Sequence, residues 1–357
     1  MNKRIISIVV VIVVVILAVW AFQNKGSSGK PVIKIGIVAP VTGNYAAYGS
    51  TLVKGVEMAL SDISTSTKYQ YQVIVEDDES TPAKSSNAAN KLINIDGVKA
   101  IITTTSGSGN AVKPLAEKAG VINICDCNDV TIGNANYNFT NLLLPVDEMK
   151  LWLTEAKKRG AKNIVVLNQI HPGFIANLNA MLPQVDSFGM KIVYKDSFAG
   201  DNRDFKTIVA KAKQANADIY LVLAFPPSLD IISRELKNAG ISNISTTASF
   251  TTSPTPELYN GLWFTDSTLT DFALKTRFDS LYPNIKFNAR TVPYGYDIFN
   301  MLVQSFEKGG DVYANVNAIT EYDGKVGKIT KAADSHNFRS DASIWTMVDG
   351  KPVMVTN

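Results

Sequence analysis

The sequence predicts an α/β protein: two doubly wound lobes with parallel-type sheets, preceded by one N-terminal transmembrane helix. Short β-branched runs alternate with longer amphipathic ones, a pattern that argues for parallel strands covered on both faces by helices. The alternation restarts after Pro145. The chain has 357 residues, 46% of them hydrophobic, whereas single cores stop growing at roughly 250–300 residues.

The elements follow in order. Lys3 and Arg4 precede an apolar run from Ile5 to Phe22, broken only by Ser7. Eighteen helical residues rise about 27 Å, close to the hydrocarbon thickness and longer than the apolar core of a cleaved leader. The positive start places the N-terminus in the cytoplasm and the remainder outside. Residues 1–22 are therefore expected to be a membrane anchor, with signal cleavage after Ala21 as the alternative. No cysteine near the end of the run indicates a lipid anchor. Residues 23–31 form a Gly/Ser-rich tether.

In the first lobe, "VIKIGIV" from Val32, "YQVIVE" from Tyr71, "AIITT" from Ala100 and "VINIC" from Val121 read as strands. Helices are expected over Gly49 to Ile63, Thr81 to Ile95 and Ala111 to Ala119. The second series contains strands at Asn163, Lys191, Ile219 and Leu262. Its helices span Asp147 to Arg159, Gly173 to Ser187, Asp204 to Ala215 and Ser228 to Ala239. Two more helices, Thr270 to Tyr282 and Gly295 to Lys308, precede a C-terminal hairpin turning at Asp349 and Gly350.

Thirty-five basic residues against 32 acidic ones give a formal charge of +3, and no basic block lies beyond the N-terminus, which argues against nucleic acid. Cys125 and Cys127 are too close in sequence for ready disulfide geometry and read as buried small apolar residues. Only His171 and His336 could join them around a metal, and both are distant in sequence, so neither a metal nor a cofactor is expected.

Open α/β sheets bind ligands beyond the C-terminal ends of their strands. That rule selects the loops Ala39 to Gly49, Thr103 to Asn110, Cys125 to Asp129, Asn168 to Gly173, Phe225 to Ser228 and Thr247 to Ser253. Within "ITTTSGSGNAVKP", Gly107 and Gly109 match two glycines of a dinucleotide fingerprint, but Val112 stands at the third and no phosphate-loop Lys-Ser/Thr pair follows. The remaining readings are an anion seat built from Ser106, Ser108 and free helix N–H groups, or ordinary capping by Ser108 or Asn110.

The stretches "IKIGIVAPVTGNYAAYGSTLVKGVEMAL", "VIVEDDESTPAKSSNAANKLI", "GVKAIITTTSGSGNAVKPLAEKAGV", "ADIYLVLAFPPSLDIISRELKNAGI" and "YGYDIFNMLVQSFEKGG" together resemble periplasmic binding proteins of the Leu/Ile/Val-binding type. These are receptors of branched-chain amino acid ABC transporters. The resemblance covers nearly all of Ile33 to Val353. It implies two Rossmann-like lobes that close like a hinge, without catalysis. The implied crossovers lie near Pro145, near Thr265 to Ser267, and between Ala332 and Asp341. Lobe 1 would comprise 32–145 plus 267–332, and lobe 2 would comprise 146–266 plus 341–357.

By this resemblance Ser106 stands where the family holds a ligand carboxylate, and Tyr48 and Phe225 fall at aromatic ligand positions. Cys127 and Asp129 occupy contact positions where the family reads Ser-x-Ala-x-Thr. Ser249 replaces the acid that pairs with the ligand's ammonium. His171 lies beside Pro172, near a family tyrosine. Either Asp129 has taken over the ammonium, or the ligand is neutral or amide-like. Asp126 and Asp129 can also be read as solvated or capping acids.

The expected function is a membrane-tethered extracytoplasmic solute-binding protein that delivers a small polar, amino-acid-like ligand to an ABC permease. A ligand-sensing ectodomain reporting to a receptor or kinase is the alternative. No catalytic constellation appears on the cleft loops, so an enzyme is not expected.

Overall fold

The computed structural model describes residues 29–355. The apolar run read as a transmembrane anchor, and most of the tether, lie outside the described residues. Among the described residues, no helix is long and apolar enough to cross a membrane.

The N-terminal sheet is built from β1 (Val32–Ala39), β2 (Gln70–Asp77), β3 (Ala100–Thr104), β4 (Ile122–Asp126), β5 (Asn138–Asn141) and β13 (Asn337–Phe338). These run in the order β13-β5-β4-β3-β1-β2, and every pairing is parallel. On one face pack α1 (Ala46–Ser61) and α9 (Val292–Lys308), around Ile35, Leu52, Phe139 and Phe299. On the other lie α2 (Pro82–Lys91) and α3 (Ser106–Ala119), around Val38, Leu92 and Val112.

The second sheet contains β6 (Asn163–Gln169), β7 (Lys191–Phe198), β8 (Ile219–Leu223), β9 (Ile244–Thr247), β10 (Trp263–Ser267), β14 (Ala342–Val348) and β15 (Lys351–Met354), ordered β15-β14-β10-β9-β8-β6-β7. β14 is antiparallel to both neighbours, and the other pairings are parallel. Its helices are α4 (Pro145–Lys158), α5 (Pro172–Met181), α6 (Lys206–Gln214) and α7 (Ser228–Asn238). The hairpin between β14 and β15 turns on Asp349 and Gly350, with φ of 48° and 70°, the positive values a two-residue hairpin turn favours.

The chain passes between the sheets three times: after β5, after β10 and after β13. Sequence reading treats 332–341 as connection only, whereas Asn337 and Phe338 pair with Thr140 and Asn141. β5 ("NFTN") and β9 ("ISTT") were likewise not anticipated, because they lack a continuous apolar run. Both are buried nonetheless, and each has a bonded polar side chain: Asn123 Nδ2 donates to Asn138 Oδ1 at 3.0 Å, and Trp152 Nε1 donates to Ser245 Oγ at 2.9 Å. A small hairpin of β11 (Glu321–Gly324) and β12 (Gly327–Thr330), and the helices α8 (Phe272–Leu281) and α10 (Val312–Asn317), complete the fold.

The α1–α9 crossing depends on two glycines. A Cβ on Gly55 would lie 2.0 Å from the Val292 carbonyl oxygen, and one on Gly295 would lie 2.4 Å from that of Leu52. Both obstacles are backbone, so the helices would have to separate. Gly55→Ala is expected to cost about 1–3 kcal/mol despite alanine's better helix propensity, a loss readable in urea unfolding.

Candidate functional site

The strand C-termini of both sheets face a common cleft. Lobe 1 contributes Tyr48 from α1, Thr104 at the end of β3 and Thr105 just beyond it, Ser106 at the start of α3, and Asp126 and Asn128 from β4 and its loop. Lobe 2 contributes His171, Gly173, Phe174, Phe225 and the segment Thr247 to Ser249. Leu142, Arg290 and Thr291 lie beside the connections.

Two non-glycine residues with positive φ stand on this lining. Thr105 (φ 69°) precedes Ser106, and Ala248 (φ 23°) precedes Ser249. Such conformations persist where surrounding structure over-determines them, and they concentrate at binding loops. Thr105, rather than Ser108 or Asn110, caps α3: its hydroxyl accepts the Ser108 N–H at 3.2 Å. The helix therefore starts at Ser106, five residues before the expected Ala111.

One wall is aromatic. Phe225 packs against Tyr48 edge to face, with centroids 5.1 Å apart at 77°, against Phe174 at 4.5 Å, and against His171 at 5.1 Å. Burial raises the Tyr48 pKa, outweighing hydrogen bonds from Thr252 and Ser249, so its hydroxyl remains a neutral donor and acceptor. Burial pushes His171 down to about 4, which keeps the imidazole neutral near pH 7. Its Nδ1 accepts the Gly173 N–H at 3.2 Å, capping α5, and this assigns the proton to Nε2. Nε2 is buried without a hydrogen-bond partner.

The other wall is polar. Ser106 Oγ donates to Asn128 Oδ1 at 3.4 Å, and Asn128 Nδ2 crosses the cleft to Asn177 Oδ1 at 2.6 Å. Asn177 Nδ2 donates to Glu148 Oε2 at 3.3 Å. Arg290, 7% exposed, binds Glu148 Oε1 through Nη2 at 2.5 Å and Asp266 Oδ1 through Nε at 3.1 Å. The bonds run from the start of α3 to the segments that connect the two sheets. Burial opposes the Arg290 charge, but Glu148 and Asp266 outweigh it and hold the guanidinium protonated.

Asp126 is 4% exposed. Burial drives its pKa well above the usual carboxylate range, with Arg290 and Thr104 offsetting only part of the effect. Thr104 Oγ1 lies 3.3 Å from Oδ2, while Oδ1 is buried and partnerless.

Five of the residues singled out in the sequence stand on this lining: Tyr48, Ser106, His171, Phe225 and Ser249. Three do not. Ser108 is fully buried and bonds to Thr105 and to the Asp78 carboxylate, so it holds the loop rather than faces the cavity. Asp129 caps a short 3₁₀ turn, accepting the Thr131 N–H at 3.1 Å, and also accepts from Asn110 Nδ2 at 2.8 Å. Cys127 is joined to Cys125 in a disulfide, which corrects the reading of both as free residues. The strand ends at Asp126, so the two Cα atoms draw together to 5.3 Å, within the range a disulfide spans. The cysteines lie with Gly109 and Ile132, away from the cleft, and the intervening Asp126 and following Asn128 face it. The expected contact pair was therefore out of phase by one residue, which in an extended chain exchanges the two sides.

Residues 32–351 match the family described as "Periplasmic binding protein". The chain belongs to that family. A Leu/Ile/Val/Thr/Ala-binding protein of Pseudomonas aeruginosa is 25% identical over 223 residues, 60% of each chain. The Leu/Ile/Val-binding protein of Escherichia coli K12 is 25% identical over 58% of this chain and 59% of its own. The matched region thus spans about three-fifths of these relatives' length. Among solved structures, a leucine-binding protein from Thermotoga maritima superposes with a TM-score of 0.82 at 19% identity, covering 91% of this chain and 98% of that one. A solute-binding protein of R. palustris in complex with 4-hydroxybenzoate gives 0.81 at 18% identity, over 91% and 96%. The identities are low, and these superpositions establish the fold. The relatives named here are binding proteins, not enzymes.

Proposed function

We propose that the protein is an extracytoplasmic solute-binding protein that captures a small polar, amino-acid-like metabolite by hinge closure and passes it to an ABC importer. The observation that carries this reading is a cavity between two lobes in which each lobe presents an unpartnered buried polar atom, His171 Nε2 from one and Asp126 Oδ1 from the other. A buried donor or acceptor left unpaired costs about 1–3 kcal/mol, so a ligand supplying both partners stabilises the closed arrangement over the open one.

Tyr48, Phe174 and Phe225 would hold the ligand's apolar body, and Ser106 and the His171 Nε2–H would meet its oxygens. Ser249 adds a hydroxyl from lobe 2. The family relatives' names support amino acids, and the 4-hydroxybenzoate complex of the R. palustris protein keeps aromatic acids in the test panel. Tethering through residues 5–22 would keep the receptor beside its permease.

The test is a thermal-shift and calorimetric panel of amino acids, their amides and small carboxylates, including 4-hydroxybenzoate, on the full chain in mild detergent. A ligand at 100 times its Kd stabilises by about 2.7 kcal/mol, which should raise Tm by several degrees. Absence of any shift or heat across the panel would overturn the proposal.

A further inference from the structure

We infer that Asp126, on the N-terminal lobe, is the specificity-determining acceptor for a cationic amine on the ligand. This rests on the solute-binding reading and names the ligand group that the polar end of the cavity selects. Asp126 is the only carboxylate residue on the lining among the described residues. It ends β4, where backbone pairing with β3 fixes its position. One carboxylate oxygen is near the Thr104 hydroxyl, and the other is buried with nothing to accept.

The neighbouring cation does not fill that role. Arg290 directs Nε to Asp266 and Nη2 to Glu148, so a single guanidinium already faces two buried carboxylates before Asp126 is counted. An ionised Asp126 would add a third negative charge, which one cation cannot balance. A ligand bearing only a carboxylate worsens this imbalance, whereas a ligand ammonium relieves it and gives Oδ1 its missing donor. Across the cleft Ser249 offers only a hydroxyl, so no acid of lobe 2 on the lining competes for the amine. His171, neutral, presents an N–H to the ligand's oxygen end.

The groups acting on Asp126 are Arg290, Asp266, Thr104 and the buried Tyr294, with neutral His171 and Tyr48 elsewhere on the lining. Burial favours the protonated carboxyl and raises its pKa well above the usual carboxylate range. Binding an ammonium favours the carboxylate, so the proton leaves to solvent as the amine enters. Affinity for an amine-bearing ligand should then rise with pH through the Asp126 titration, and binding should release a proton.

The experiment uses the full-length protein in mild detergent, wild type and Asp126→Asn. Calorimetry covers the twenty L-amino acids, matched des-amino acids such as 4-methylpentanoate for leucine and 3-phenylpropanoate for phenylalanine, and 4-hydroxybenzoate. The expected result is that an amino acid binds the wild type, its des-amino counterpart does not, and Asp126→Asn weakens the amino acid at least about 100-fold while still melting cooperatively. If the variant does not fold, the wild type decides: an amino acid bound at least about 100-fold more tightly than its des-amino counterpart supports the inference, and equal affinity for the two overturns it. Retained affinity in Asp126→Asn, within about tenfold, also overturns it, as does binding confined to acids lacking an amine. Both of those results leave the solute-binding reading intact, whereas failure of the whole panel removes that reading and this inference with it.

Discussion

Arg290→Met is expected to remove about 3–5 kcal/mol of unfolding free energy at pH 7, a large part of the ~5–15 kcal/mol typical of a folded domain. Glu148 lies in the first turn of α4, Asp266 in β10 and Arg290 just before α9, so one guanidinium joins segments that come together where the chain passes between its sheets. Methionine fills comparable volume but leaves both carboxylates without a cation. The double variant Arg290→Met/Glu148→Gln should then lose less than the single one, since it removes a charge together with its partner. Asp266 makes the penalty pH-dependent. Burial raises its pKa even with Arg290 present, and without the guanidinium the carboxyl is easier still to protonate. A group with a raised folded pKa stabilises fully below its unfolded value and loses that contribution as pH rises, so the variant should recover part of its deficit near pH 5. Urea midpoints at pH 5 and 7 test both statements. A loss below about 1 kcal/mol at pH 7 would show that the cluster is not what holds these segments together.

The same cluster shows where sequence reasoning ends. Strands such as "AIITT" and "IYLVL" declare themselves because parallel strands are buried on both faces, and the loops at their C-terminal ends then follow from topology alone. Tyr48, Ser106, His171, Phe225 and Ser249 lie on those loops, and the resemblance to the Leu/Ile/Val-binding type singled them out there. Arg290 was not singled out: it sits in "FNART", an irregular segment between α8 and α9, and nothing local distinguishes a buried arginine from a solvated one. Its partners lie 24 and 142 residues away, at separations no periodicity reports. Asp126 was missed for a different reason. In "CDCND" the spacing narrows the choice to two alternating sets, and only the packing of the cysteine pair against Gly109 decides which set faces the cleft. β5 and β9 failed a third way, since each carries a single large apolar side chain, Phe139 or Ile244, and buries bonded amides or hydroxyls beside it.

Asp297→Asn is expected to change how stability depends on pH, because this carboxyl sits in α9 with 1% exposure and burial pushes its pKa up to about 7. Both carboxylate oxygens accept the Lys325 N–H, at 3.0 and 2.8 Å, which fastens the β11–β12 hairpin to α9. Those bonds and the Lys325 charge favour the carboxylate, and Asp271, itself paired to Lys325 at 2.7 Å, disfavours it; burial prevails. With the folded pKa above the unfolded one, the contribution of Asp297 is fully present below about pH 4 and is lost as pH rises through 7. His171 runs the opposite way, since its depressed pKa costs stability as pH falls from about 6.5 toward 4. Asp62, Asp77, Asp218 and Asp271, held below the usual range, act only at lower pH. The wild-type curve alone therefore mixes several titrations, but the difference between wild type and Asp297→Asn isolates one. Asparagine keeps an acceptor for the Lys325 N–H and cannot ionise, so between pH 5 and 8 the balance should move toward the variant by about 2–3 kcal/mol. A difference that stays flat across that window would mean that the carboxyl titrates near its ordinary value and that the hairpin shields it less than its burial implies.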